Sequence, residues 1–224
     1  MSLIVYGAPL SPFVRKVRLL LAEKGLEYQL EYINPFGQPD DFQQISPLKR
    51  VPALRDGDLT LADSSVICQY LEEQYPQHTP LYGQNAVERA RVRWLEKYAD
   101  YEVAPAATFG VFRNRLIKPA VLSQPSDEGA VQRALETTLP PLFDYLEQQL
   151  GDRQYFVGNR LSLADLAVAV QLVNLEHGGE TLDAGRWPNL GRFYARIKAR
   201  DSMQGVLPGE LKVVGKLRAL AATR

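Results

Sequence analysis

The 224-residue chain holds one cysteine, Cys68, and two histidines, His78 and His177. One cysteine cannot build an internal disulfide framework, and it fits a reducing compartment. Neither histidine has a cysteine or a second histidine at ligand spacing, so no metal centre is expected. Neither stands in a motif that would supply a serine with a base, so a Ser-His-Asp hydrolase is not supported. Net charge is absent too: 26 Lys plus Arg balance 26 Asp plus Glu. The first 78 residues lean mildly acidic and the rest mildly basic. That is too weak a field to draw nucleic acid or a membrane surface, and neither is expected as a partner. No apolar run reaches the length of a membrane span. The opening MSLIVYGAPL lacks a basic n-region and its apolar run is too short for a signal peptide, so a cytoplasmic protein is expected. Repeats and low-complexity tracts are also missing. What remains is a 46% hydrophobic chain, long enough for one large core or two small ones.

The pattern changes character along the chain. Residues 3–6 form a short apolar run that Gly7 ends, read as a buried strand. Residues 12–24 carry Val14, Val17, Leu20 and Leu21 at helical spacing, and Gly25 stops them. YQLEYI alternates and reads as a second strand. In VPALRDGDLTL, two short strands flank a turn at Asp56-Gly57-Asp58, which is a hairpin signal. DSSVICQYLEEQY opens with capping residues and reads as a helix. The order is β-α-β-(α)-β-β-α. TPLYGQN, residues 79–85, is a cluster of turn formers and reads as a linker. Beyond it the strand pattern vanishes. Helices are expected around 86–118, 127–150, 162–175, 187–200 and 209–221, with Pro105 kinking or breaking the first. Ser162 and Asp165 form a capping-box signature before an apolar run. A small α/β domain over 1–78 and an all-helical domain over 86–224 are therefore expected.

Three features of the α/β part can carry chemistry. Val51-Pro52 heads a strand, where proline cannot donate to the ladder. It is either an ordinary edge turn or a cis bond that leaves the backbone of Val51 free to pair with an extended peptide ligand. Asp63-Ser64-Ser65 sits at a helix start. Capping is one reading; holding a ligand carboxylate on spare N–H groups and a hydroxyl is the other, with Asp63 available for an ammonium group. Ser11-Pro12 is a natural N-cap with proline at the first helical position. The same serine hydroxyl could instead donate to a bound thiolate, helped by the helix dipole.

Together, SPFVRKVRLLLAEKGLEY, KRVPALRDGDLTLADSSVICQYLEEQYP and GNRLSLADLAVA resemble the glutathione transferase family over nearly the whole chain. The first run is similar to its serine-type members, tau- and theta-like forms among them. The second, with its Val-Pro, Asp-Gly turn and acidic-Ser pair, is the most specific. The resemblance implies a thioredoxin-like α/β N-terminal domain, an all-α C-terminal domain and glutathione as co-substrate, with no metal. It places Ser11 as the residue that stabilises the thiolate, with Tyr6 as the rival for that role. It assigns Val51, ahead of Pro52, to the cysteinyl backbone, and Asp63 and Ser64 to the γ-glutamyl amino and carboxylate groups. Arg50 and Lys49 fall to the glycine carboxylate, and Phe13 lies beside the glutathione site. The family has glutamate more often where this chain has Asp63. The family's electrophile pocket lies between the domains, for which Leu10, Phe13, Phe36, Phe109, Phe112 and Arg113 are candidates. Conjugation of glutathione to a hydrophobic electrophile, a detoxification chemistry, is the activity implied, in a homodimer. A glutathione-dependent isomerase and a non-catalytic ligand-binding member are the alternatives. Where a glutaredoxin-like site would carry Cys-Pro-aromatic-Cys, Ser11-Pro12-Phe13-Val14 has no sulfur, so no mixed disulfide can form there.

Overall fold

Strand β1 (Leu3–Gly7) is the buried centre of the first unit. Helix α1 (Pro12–Lys24) carries the chain over to β2 (Tyr28–Tyr32), which pairs parallel with β1. A parallel neighbour needs such a crossover, and a two-residue hairpin could not supply it. Strands β3 (Ala53–Asp56) and β4 (Leu59–Ala62) form the expected hairpin, and β3 pairs antiparallel with β1. The sheet order is β2-β1-β3-β4, and α2 (Ser64–Gln74) packs against α1, β3 and β4. This is a mixed, thioredoxin-like sheet. The helical segment expected between β2 and β3 is a short, tight turn, Asp40–Gln44, whose Phe42 is buried.

The computed structural model describes residues 3–223 and divides the chain into two compact units, one up to Tyr82 and one from Gly83. The division falls inside the turn-rich stretch 79–85. Residues 79–82 are tied back to the first unit by a buried ion pair. Lys24 Nζ bonds Glu72 Oε2 at 2.8 Å and the Thr79 carbonyl at 3.1 Å, while Glu72 Oε1 accepts the N–H groups of Leu81 and Tyr82. Asp56 at the hairpin turn accepts both the Tyr70 and Tyr75 hydroxyls, at 2.9 and 2.7 Å. Burial first, and then that carboxylate, push the Tyr75 phenol up to about 12.

Helix α1 lies so close to β1 that only glycine fits between them. A Cβ on Gly7 would stand 2.4 Å from Cγ2 of Val14, a fully buried side chain. Gly7→Ala should therefore destabilise the protein by about 1–3 kcal/mol through overpacking. It should also shift the start of α1, where Ser11 sits. Denaturant melts check the first effect; an unchanged midpoint would mean that α1 adjusts freely.

The second unit is helical throughout its regular elements. Helix α3 (Ala86–Tyr98) continues without a break through Ala99–Val103 and Pro105–Ile117 into α4 (Lys118–Ala120). Of the kink or break expected at Pro105, the break does not occur. The turns around it are wide: the Ala104 N–H reaches the Ala99 carbonyl and the Lys118 N–H the Arg113 carbonyl, each five residues back. A widened turn relieves the clash between a proline ring and the carbonyl four residues earlier. The expected helix at 127–150 is likewise continuous, from α5 (Glu128–Arg133) through a wide turn to α6 (Leu139–Leu150). Helix α7 (Leu163–His177) is buried on nearly every side, which fits its all-round apolar sequence and makes it the unit's axis. Helices α8 (Pro188–Lys198), α9 (Asp201–Gln204) and α10 (Leu207–Ala222) complete the unit.

The capping box at α7 forms as the sequence indicates. Asp165, fully buried, accepts the N–H and the hydroxyl of Ser162, each at 2.7 Å. It also accepts the Phe156 N–H at 2.9 Å, a contact the sequence pattern does not announce.

Candidate functional site

Strand register gathers the chemistry-bearing residues at one end of the sheet. Tyr6 lies opposite Ala53, and Ala53 opposite Ala62. The chain leaving β1 toward Ser11, the chain entering β3 from Val51, and the chain leaving β4 toward Asp63 and Ser64 therefore share that end. The N-termini of α1 and α2 are both there, so two sets of helical N–H groups and two positive dipole ends converge.

Ser11 is the N-cap of α1. Its Oγ accepts the Val14 N–H at a long 3.4 Å, and its carbonyl accepts the Arg15 N–H at 2.9 Å. The hydroxyl proton meets no acceptor among the described residues. Ser11 can thus cap the helix as an acceptor and still donate to a thiolate. Tyr6 stands differently. It is 3% exposed, packed with Phe42, Ala53, Ile4, Ile33, Ile45 and Val51, and the Arg55 guanidinium lies over its ring. Burial first, then the Glu31 carboxylate, raise its phenol above the ordinary value. Its ring belongs to the core beneath the site.

The Val51-Pro52 bond is cis. Neither the N–H nor the carbonyl of Val51 has a hydrogen-bond partner among the described residues. The β3 ladder starts only at Ala53. An extended ligand can pair with Val51 as a strand pairs with an edge.

At α2, Asp63 holds φ at 76°, an unusual value for a residue with a Cβ, which costs of the order of 1–3 kcal/mol and marks sites that the surroundings over-determine. Its Oδ1 accepts the N–H groups of Ser65 and Val66 at 2.9 and 3.2 Å, so capping is real. Ser64 is buried, yet its N–H and Oγ have no partner among the described residues. This is a ready seat for a carboxylate, with the exposed Asp63 carboxylate beside it for a cation. Lys49 and Arg50 are exposed on the loop before Val51. Lys49 also holds a positive φ of 51°. Sequence reasoning missed Ser46, which is completely buried in that loop; its Ser-Pro turn signal ahead of the basic pair was the available clue.

The pocket candidates divide by unit. In the first, Leu10 is buried, Phe13 half-buried and Phe36 exposed. In the second, Phe109 is exposed and Arg113 half-buried, whereas Phe112 is buried with its ring centroid 6.4 Å from that of His177. Phe112 is thus packed inside the helical unit.

Family models match both parts of the chain. Residues 5–79 match the glutathione S-transferase N-terminal domain and residues 113–207 the glutathione S-transferase C-terminal domain. A glutathione S-transferase of Triticum aestivum is 30% identical over 207 residues, 92% of each chain. A probable maleylacetoacetate isomerase of Vibrio cholerae is 29% identical, covering 93% of this chain and 96% of the relative. A glutathione S-transferase structure from Rhodospirillum rubrum superposes with a TM-score of 0.83 at 30% identity, covering 92% of this chain and 91% of that one. The chain belongs to the glutathione S-transferase family.

Proposed function

We propose that the protein is a glutathione transferase that adds the glutathione thiolate to a hydrophobic electrophile. The observation that carries this reading is the meeting, at one sheet end, of three sets of groups without partners among the described residues. They are the hydroxyl proton of Ser11, the backbone of Val51, and the N–H and Oγ of Ser64. Ser64 takes the γ-glutamyl carboxylate and Asp63 its ammonium group. Val51 pairs with the cysteinyl unit, and Arg50 and Lys49 face the glycine carboxylate. That arrangement brings the sulfur to the start of α1. There Ser11 donates a hydrogen bond to the thiolate, and the helix dipole favours the negative charge. The thiol proton leaves to solvent. The sulfur lone pair forms the new C–S bond while the leaving group departs with its bonding electrons. Leu10, Phe13, Phe36, Phe109, Phe112 and Arg113 are the candidates for contact with the electrophile, the buried Leu10 and Phe112 needing a side-chain movement to reach it.

The supporting experiment is retention on immobilised glutathione, followed by turnover of a chloronitroaromatic. Ser11→Ala should slow conjugation strongly with modest effect on retention, and Tyr6→Phe should do little. If Tyr6→Phe is the more damaging, Tyr6 is the activating group and Ser11 only a cap. We further expect a homodimer in the cytoplasm, tested by light scattering for twice the 25.1 kDa chain mass. An isomerase reading draws on the Vibrio cholerae relative, but APLSPFVRKV lacks the cysteine of the zeta-type serine motif. Turnover of a cis-trans isomerisation without a leaving group would favour it.

A further inference from the structure

Ser46 lies in the loop between the Asp40–Gln44 turn and β3, yet its side chain is completely buried. Its hydroxyl does two things for one residue. It donates to the Arg50 carbonyl at 2.8 Å and accepts the Arg50 N–H at 3.1 Å. Its backbone holds the loop as well, with the Ser46 N–H on the Phe42 carbonyl at 2.9 Å and the Lys49 N–H on the Ser46 carbonyl at 2.8 Å. Phe42 in turn is packed in the Tyr6 and Ala53 core. One buried oxygen therefore fixes both peptide planes that flank the Arg50 Cα.

The consequence falls on Val51. The Arg50 carbonyl and the Val51 N–H belong to one planar trans peptide, in which the two groups point in opposite directions. Turning the carbonyl inward to Ser46 aims the Val51 N–H away from it, where no described residue receives it. The preceding plane is held the same way. The Arg50 N–H faces Ser46, and the Lys49 carbonyl on its other side accepts from Gln38 Nε2 at 2.5 Å. This clamp also stabilises the left-handed φ of Lys49.

We propose that Ser46 is a positioning residue for glutathione: by holding the Arg50–Val51 peptide it pre-sets the direction of the Val51 N–H that meets the cysteinyl backbone. This rests on the glutathione reading above. Ser46 does not touch the ligand. It removes the ordering cost that a loose loop would charge against binding.

The test uses two ligands on the full chain, glutathione and γ-glutamyl ethylamide. The second keeps the α-amino acid end that Asp63 and Ser64 hold but has no cysteinyl backbone. Ser46→Ala should raise the glutathione Kd about tenfold, leave the γ-glutamyl ethylamide Kd within about twofold, and raise KM with little change in kcat. Ser46→Thr, which keeps the hydroxyl, should restore glutathione affinity. Ser46→Cys, which keeps the volume and weakens both hydrogen bonds, should move with the alanine variant and guards against collapse of the loop. An unchanged glutathione Kd in Ser46→Ala, or an equal loss for both ligands, overturns the role given to Ser46. A wild type that binds neither ligand overturns the functional reading beneath it.

Discussion

Asp165→Ala should cost about 2–6 kcal/mol of stability, because it strands two buried N–H groups at about 1–3 kcal/mol each. Those groups belong to Phe156 and Ser162, and the Ser162 hydroxyl loses its acceptor as well. Ser162→Ala removes only the hydroxyl and should cost about 1 kcal/mol. The large effect carries a pH signature. Burial raises the Asp165 carboxyl to about 6, and the hydrogen bonds from Phe156 and Ser162 oppose that rise without cancelling it. A folded pKa above the unfolded one means that the folded state binds the proton more tightly. The resulting stability is fully present below about pH 4 and is lost as pH rises to about 6. The gap between wild type and Asp165→Ala should therefore narrow across that window. Urea melts at pH 4, 5, 6 and 7 measure it; a gap that widens with pH would mean the three donors, not burial, set the protonation state.

The second large effect is expected at Ser64. It is buried and its Oγ is free to bond a ligand carboxylate. A hydrogen bond to a charged group contributes about 1.5–3 kcal/mol. Ser64→Ala should thus weaken glutathione binding roughly 10- to 150-fold. Asp63→Asn is the informative contrast. Asparagine keeps a cap acceptor for Ser65 and Val66 and tolerates the positive φ, so it removes charge alone. Because Asp63 is exposed and screened, its loss should be smaller, about two- to fivefold. Calorimetry with glutathione reads both. Equal, negligible losses would leave the start of α2 as a helix cap and nothing more.

Much of this molecule is legible in its sequence because the signals are local. The two-residue period of 28–33, the Asp56-Gly57-Asp58 turn and the Ser162/Asp165 box each act within a few positions, and each appears where it was read. What the pattern leaves open is long-range. A kink or a break is expected at Pro105; the helix does not break there, and helical spacing could not tell that wide turns would absorb the ring. Phe112 and Phe109 look alike in the pattern; packing against His177 separates them. The Lys24–Glu72 pair spans 48 residues, and no local rule anticipates a buried ammonium group. Within the site, the candidate residues are quotable from motifs. What holds them is not: the double bond from Ser46 to Arg50 is visible only once the loop is closed.

If the hydroxyl of Ser11 stabilises the thiolate of bound glutathione, titrating that thiol in the complex through its ultraviolet thiolate absorbance will show it. A free thiol ionises near pH 8.5, and the bound value in the wild type is expected to be lower by roughly two units. Ser11→Ala should move it back toward the free value, and Tyr6→Phe should leave it low. A bound thiol that titrates at the same pH in wild type and Ser11→Ala, with Tyr6→Phe shifting it upward, would transfer the role from Ser11 to Tyr6.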